Sequence, residues 1–131
     1  MEYIVPAAIM LLLDSVYLSN IGGKLFGKMV KNIQSHEMKI NIYGAIGAYT
    51  LMFIALYKFI LSERKPPSDA FILGLCIYGI FDFTNYAIFK KYNMLIGGID
   101  MLWGGILYYV VTWLTYKILG IKASDRKLNK T

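Results

Sequence analysis

The fold is decided by residues Tyr78 to Tyr108, which read YGIFDFTNYAIFKKYNMLIGGIDMLWGGILY. This stretch contains two apolar segments joined by a short basic loop. Each segment carries a carboxylate where a lipid bilayer disfavours one: Asp82 lies near Thr84 and Asn85, and Asp100 lies near Trp103. A charged aspartate at the bilayer centre costs about 2.5–3.5 kcal/mol on insertion scales. The pattern therefore predicts two membrane helices with polar faces directed into a bundle.

The composition extends this interpretation to the whole chain. Of 131 residues, 57% are hydrophobic, and the mean hydropathy is +0.51. Four segments approach the roughly 20 apolar residues that a membrane span needs, at residues 3–19, 39–61, 69–89 and 95–119. We predict an all-α polytopic membrane protein, a four-transmembrane-helix bundle plus one interfacial amphipathic helix. Residues 1–121 form the single predicted domain, and residues 122–131 form a polar C-terminal tail.

The amphipathic helix is predicted at residues 21–35, after a break in the first helix marked by Asn20, Gly22 and Gly23. Apolar residues recur there at spacings of three and four, which is typical of a helix lying at a membrane surface. Lys24, Lys28 and Lys31 occupy the other face. These three lysines are the predicted contacts to lipid headgroups.

Cysteine and histidine each occur once in the sequence, which limits the metal and redox chemistry available to the protein. Cys76 is the only cysteine and His36 the only histidine, which excludes an internal disulfide, a cysteine zinc site and a multi-histidine metal site. We expect no metal and no cofactor. The formal net charge of +6 favours anionic membrane lipids as partners over nucleic acid.

The depths of the carboxylates suggest a site. We call the membrane face bearing the N-terminus side A and the other face side B. At 1.5 Å of rise per residue, Asp14, Asp82 and Asp100 all fall in the half nearer side B. No lysine or arginine is predicted deep in a span, so these carboxyls must be protonated, hydrogen-bonded or neutralised by a cation. The candidates for a polar pocket open toward side B are Asp14, Asp82, Thr84, Asn85, Asp100 and Trp103.

A purely structural role is the alternative for these residues. Asp82, Asn85 and Asp100 could hold the helices in register by hydrogen bonds. Such bonds contribute only about 0.6 kcal/mol on average, which is a weak reason for a membrane protein to accept three acids. The residues alone leave both interpretations open.

The orientation follows from the distribution of basic residues. Eight lysines and arginines fall on side A and six on side B, and cytoplasmic loops are usually the more basic. We therefore expect both termini on the cytoplasmic or equivalent side of an integral, multi-pass membrane protein.

Several runs of residues resemble a known family of small membrane proteins of unknown function, predicted to have four spans and found in bacteria and large DNA viruses. The runs are LLLDSVYL at Leu11 to Leu18, the basic segment at Phe26 to Lys28, YGIFDFTN at Tyr78 to Asn85, and IDMLWGGIL at Ile99 to Leu107. The resemblance implies that the six pocket candidates belong to the recognisable core of the family. It implies no activity, although bacterial members near lipid-modification genes suggest a link to lipids. The chain is richer in Lys, Asn, Ile and Tyr than the bacterial pattern, as expected of a viral or AT-rich source.

Three functions fit these observations. We place first a structural or assembly component of a membrane-containing complex, such as the capsid-associated inner membrane of a virion, with other protein subunits or further copies of this chain as partners. The alternative is a lipid-modifying enzyme, or its membrane accessory, that uses the buried Asp/Asn residues. A small oligomeric transporter is the third. The sequence shows no pairing of a nucleophile with a base, so it does not decide whether the protein is an enzyme.

Overall fold

The computed structural model describes residues 1–123, and this part of the chain is helical, with no β-strand. The helices are α1 Ile4–Tyr17, α2 Gly23–Gln34, α3 Ile42–Leu56, α4 Pro67–Ile88 and α5 Met94–Leu119. Two π-helical turns, Leu18–Gly22 and Tyr57–Leu61, extend α1 and α3. The predicted all-α class is confirmed. Most of the predicted polar tail, residues 124–131, lies outside the described residues.

Four continuous helices are long and apolar enough to cross a membrane: Ile4–Gln34, Ile42–Leu61, Pro67–Ile88 and Met94–Leu119. Even the shortest has 20 residues, which at 1.5 Å per residue spans the hydrocarbon core of about 30 Å. The third helix starts two residues before its predicted boundary. Pro67 occupies its first turn, where a proline leaves no helical hydrogen bond unmade.

The predicted break after the first span is wrong, because α1 continues into α2 through the turn Leu18–Gly22. Gly22 and Gly23 have φ values of −63° and −61°, which are helical values. A Cβ atom on Gly22 would lie 2.6 Å from the Tyr17 ring, and one on Gly23 would lie 2.3 Å from the Leu18 carbonyl oxygen. The two glycines therefore make room for a wide helical turn instead of ending the helix.

The helices α4 and α5 form a closely packed antiparallel pair. A Cβ atom on Gly74 would lie 2.2 Å from the Gly104 carbonyl oxygen, and one on Gly104 would lie 2.2 Å from Cγ of Tyr78. These distances place the backbones of α4 and α5 against each other at Gly74 and Gly104. Asn93 caps the start of α5 by accepting a hydrogen bond from the Leu95 backbone N–H at 2.9 Å.

The amphipathic helix α2 packs on the loop between α4 and α5. Met29 is 3% exposed, and its sulfur lies 3.0 Å from the Asn93 backbone nitrogen. The rings of Phe26 and Tyr92 meet edge to face at 6.4 Å between centroids. The predicted headgroup contacts, Lys24, Lys28 and Lys31, are exposed. The apolar face of α2 thus covers one end of the bundle while its lysines point outward.

Candidate functional site

Asp14 joins all four membrane-length helices. The Tyr49 hydroxyl of α3 donates to Asp14 Oδ2, and Trp103 Nε1 of α5 donates to Asp14 Oδ1 at 2.9 Å. The Tyr78 hydroxyl of α4 makes a longer contact of 3.5 Å with the same Oδ1. Asp14 is 4% exposed. Its carboxyl is therefore buried, and neutral donors from three other helices surround it.

Asp82 of α4 and Asp100 of α5 form a second arrangement, a pair of carboxyl groups. Both side chains are buried, and the two carboxyls lie close enough to share a hydrogen bond. The backbones are close here, since a Cβ atom on Gly97 would lie 3.3 Å from Cβ of Asp82. An ionised carboxylate has no proton to donate. The two groups can therefore bond each other only when one of them is protonated.

Tyr92 closes the carboxyl pair on the side of α2. Its hydroxyl donates to Asp82 Oδ1 at 2.5 Å, and the Asn85 side chain reaches the same hydroxyl. Burial, followed by the bond to Asp82, raises the pKa of the Tyr92 phenol, so Tyr92 keeps its proton and remains the donor. No N–H or O–H group among residues 1–123 bonds the other oxygen, Asp82 Oδ2. That oxygen is left to the Asp100 carboxyl.

Tyr17 connects the two arrangements. Its ring stacks on that of Trp103, with 4.6 Å between centroids and 13° between planes. Its hydroxyl is buried and has no hydrogen bond of standard geometry within the described part of the chain. The charges of Asp100, Asp14 and Asp82 all act on it, and Asp100 lies within its hydrogen-bonding reach. Tyr17 therefore lies among all three carboxyls.

A groove runs between α1 and α5 on the outer surface of the bundle, and we call it the lateral groove. Its volume is about 340 Å³, which lies within the usual range for small-molecule sites. Its lining includes the apolar side chains and rings of Leu13, Val16, Tyr17, Ile99, Leu102 and Trp103. The stacked rings of Tyr17 and Trp103 thus contact the carboxyls and also line the groove.

The structure brings most of the predicted pocket residues together. Asp14, Asp82, Asp100 and Trp103 meet around Tyr17, and half-buried Asn85 lies at the edge beside Tyr92. Thr84 does not join them, because it is two residues from Asp82 and such positions lie on different faces of a helix. It is exposed instead.

The carboxyls are also less accessible than the predicted pocket would require. The sequence suggested an opening toward side B, but the three carboxyls are between 0% and 7% exposed. Tyr92, with Phe26 of α2 against its ring, lies over the Asp82 end of the cluster. The lateral groove, which Tyr17 and Trp103 line, opens on the flank of the bundle between α1 and α5.

Four tyrosines of the site, Tyr17, Tyr49, Tyr78 and Tyr92, were missed in the sequence. Tyr17 is three residues after Asp14 and Tyr78 is four residues before Asp82, spacings that place each on the same helix face as an acid. Those spacings could have identified both. Tyr49 offers no such signal, because α3 carries no acidic residue.

The donors around Asp14 are N–H and O–H groups, which suit a carboxyl acceptor. Within residues 1–123, no three His, Cys, Asp or Glu side chains are grouped so that they could hold a metal ion.

Four membrane-length helices around buried carboxyl groups define a multi-pass integral membrane protein with a polar interior. The family described as "Predicted membrane protein (DUF2177)" matches residues 1–117, and the chain belongs to this family. The expected membership of an uncharacterised membrane family is confirmed. No curated protein and no solved structure matches the chain.

Proposed function

We propose that the protein binds a membrane lipid in the lateral groove and that Asp82 and Asp100 exchange protons with it, as a lipid-modifying enzyme or its membrane accessory. One observation carries this proposal. The rings of Tyr17 and Trp103 line the groove, and each is also tied to a carboxyl: Trp103 bonds Asp14 and Tyr17 lies beside Asp100. Only one layer of aromatic rings separates a lipid in the groove from the acids.

The carboxyl pair suits acid–base chemistry better than it suits helix packing. A pair that shares one proton offers a donor and an acceptor at the same place, as general acid–base catalysis needs. Helix packing needs only satisfied hydrogen bonds, which Asp14 already provides. By contrast, Asp82 Oδ2 has no N–H or O–H partner within residues 1–123. We therefore assign a structural role to Asp14 and a chemical role to the pair.

A lipid is the occupant that the surroundings favour. The groove lies on the outward face of two membrane-length helices, where acyl chains are the solvent. Its lining extends to Asn20 and Ile21. The exposed lysines of α2 come next along the chain. A lipid lying along the groove would direct its phosphate toward these lysines, which attract anionic headgroups.

An assembly role is the second candidate, and one observation favours it. Gly44 and Gly47 of α3 face outward, and Cβ atoms built on them would meet no atom of residues 1–123 within 4 Å. Small residues on an outer face allow a helix of another subunit to approach closely. In this case the partner would be another membrane protein or a second copy of the chain, for example in the membrane layer of a virus particle.

The variant Asp82→Asn tests the proposed function. The asparagine oxygen can still accept from Tyr92, and its NH₂ group can donate to Asp100, so the fold should be retained. The exchangeable proton of the pair is lost, however, and general acid–base groups typically contribute about 10²–10⁴-fold to a rate. Expression of the wild type should change the lipid species of a host membrane, measured by mass spectrometry of lipid extracts. Asp82→Asn should reduce that change at least about 100-fold.

Glu37→Gln is the matched control, because it removes an exposed carboxylate from the loop after α2. It should leave the lipid change intact. A second variant, Leu102→Trp, places a large ring in the groove and should reduce the lipid that co-purifies with the protein. If Asp82→Asn altered lipids as the wild type does, or if the wild type altered none, the proposal would be wrong. Protein partners retained equally by the wild type and Asp82→Asn would then favour the assembly role.

A further inference from the structure

A second pocket lies at the side A end of the bundle, far from the carboxyls, and we call it the end pocket. Its polar lining comes from Glu2, Tyr57, Ser62, Arg64, Thr115 and Tyr116, and its volume is about 130 Å³. Thr115 lies fifteen residues after Asp100 on α5, which is about 22 Å along the helix axis. The end pocket is therefore separate from the lateral groove and the carboxyl pair.

Hydrogen bonds hold the walls of the end pocket in place. The Tyr116 hydroxyl donates to the Lys65 carbonyl oxygen at 2.6 Å. The Lys65 backbone N–H donates to the Ile60 carbonyl oxygen at 2.9 Å, and the Arg64 N–H donates to that of Leu61 at 3.1 Å. These bonds fix the turn that carries Arg64, whose φ is +53°. An arginine thus occupies a left-handed position that favours glycine.

One polar group in the pocket has no partner. Thr115 is 2% exposed, and its hydroxyl makes no hydrogen bond to any group among residues 1–123. The pocket also combines a cation, Arg64, with an anion, Glu2. Glu2 lies just before α1 and lines the same pocket as Tyr57 and Arg64. A ligand that matches this lining carries one negative and one positive group together with hydrogen-bonding oxygens.

We propose that the end pocket binds a phosphoethanolamine group, with its phosphate on Arg64 and its ammonium on Glu2. A guanidinium matches the oxygens of a phosphate by paired hydrogen bonds. A primary ammonium can donate hydrogen bonds to a carboxylate, which a quaternary choline cannot, and the small volume also favours the smaller group. The helix ends around the pocket lie where headgroups of the side A leaflet lie. A phospholipid is one source of the group, and soluble phosphoethanolamine is another.

Binding of defined lipids to the full-length protein tests this site. The protein is delipidated in mild detergent and titrated separately with phosphatidylethanolamine, phosphatidylcholine and phosphatidylglycerol, and native mass spectrometry counts the bound lipid. The wild type should bind phosphatidylethanolamine about tenfold more tightly than the other two, the size expected of one charge-assisted hydrogen bond. Equal binding of the three lipids would overturn the proposal.

Two variants separate the roles of the charges. Arg64→Gln should weaken binding of all three lipids about tenfold, since each carries a phosphate. Glu2→Gln should remove the preference for phosphatidylethanolamine and leave phosphatidylglycerol binding unchanged. Lys90→Gln, which changes an exposed cation at the other end of the bundle, is the control and should have no effect. Equal binding by Arg64→Gln and Lys90→Gln would contradict the site.

Soluble phosphoethanolamine distinguishes the two sources. If it displaces phosphatidylethanolamine at millimolar concentration, the headgroup alone is recognised; if only the lipid binds, the acyl chains contribute and the membrane is the source. Either result supports the site when the variants behave as expected. Because Asp82→Asn does not touch the end pocket, it should bind phosphatidylethanolamine normally, so failure of this site and failure of the proposed function are distinguishable.

Discussion

Replacing Asp14 with alanine is expected to lower the free energy of unfolding by about 2–4 kcal/mol, one of the two largest effects we predict. The change removes the acceptor for Tyr49 and Trp103 and the longer contact to Tyr78. Interhelical hydrogen bonds in membranes contribute about 0.6 kcal/mol on average, and a buried donor left without an acceptor costs about 1–3 kcal/mol. Summing the first value over the lost hydrogen bonds gives a lower limit, and summing the second over the donors left unpaired gives an upper limit. The expected loss lies between these limits. SDS titration in mixed micelles, followed by far-UV circular dichroism, measures the effect.

Two further variants make the test specific. Asp14→Asn keeps one acceptor oxygen at the same place, so it should destabilise the protein by less than half as much. Ser15→Ala changes the next residue, which is exposed, and should leave the free energy of unfolding within about 0.5 kcal/mol. A loss of similar size in Ser15→Ala, or none in Asp14→Ala, would show that Asp14 does not hold the four helices together.

Replacing Gly104 with alanine should also destabilise the bundle, by about 2–3 kcal/mol. The added Cβ atom would lie 2.2–2.6 Å from Cγ, Cδ1 and Cβ of Tyr78, so α4 and α5 must move apart. Overpacking of this kind costs about 1–3 kcal/mol, and a shift of Tyr78 also disturbs its contact with Asp14. The same SDS titration measures the loss.

Gly98 provides the matched control on the same helix. A Cβ atom built there meets no atom within 4 Å. Alanine is favoured over glycine in a helix by about 1 kcal/mol, so Gly98→Ala should be neutral or stabilising. If both variants were equally stable, the close approach of α4 and α5 at Gly104 would not limit the packing of the bundle.

The sequence was sufficient for features that depend on length and hydropathy. A bilayer sets the minimum length of an apolar helix, so four membrane-length helices were predictable from the sequence. Rise per residue placed Asp14, Asp82 and Asp100 at similar depths. The close approach of α4 and α5 depends on Gly74 and Gly104, because only glycine lets two backbones meet at these distances.

Features that depend on the rotation of each helix about its axis were not predictable. Depth alone could not separate Asp14, which bonds tyrosine and tryptophan, from Asp82 and Asp100, which lie beside each other. Trp103 shares a helix face with Asp100, yet its Nε1 donates a hydrogen bond to Asp14 on α1. The role of Tyr49 depends on the rotation of α3 about its axis relative to α1. A single sequence does not reveal that rotation.

The π-helical turn at Leu18–Gly22 sets the rotational phase of the long first helix. Tyr17 and Met29 are twelve positions apart, and at about 100° per residue a regular α-helix would direct them about 120° apart. A π-helical turn takes up one additional residue, which reduces the difference to about 20°, so both side chains face the bundle. Losing one residue here would restore a regular helix and keep that direction, whereas gaining one would turn Met29 away from Asn93. The segment should therefore tolerate shortening better than lengthening.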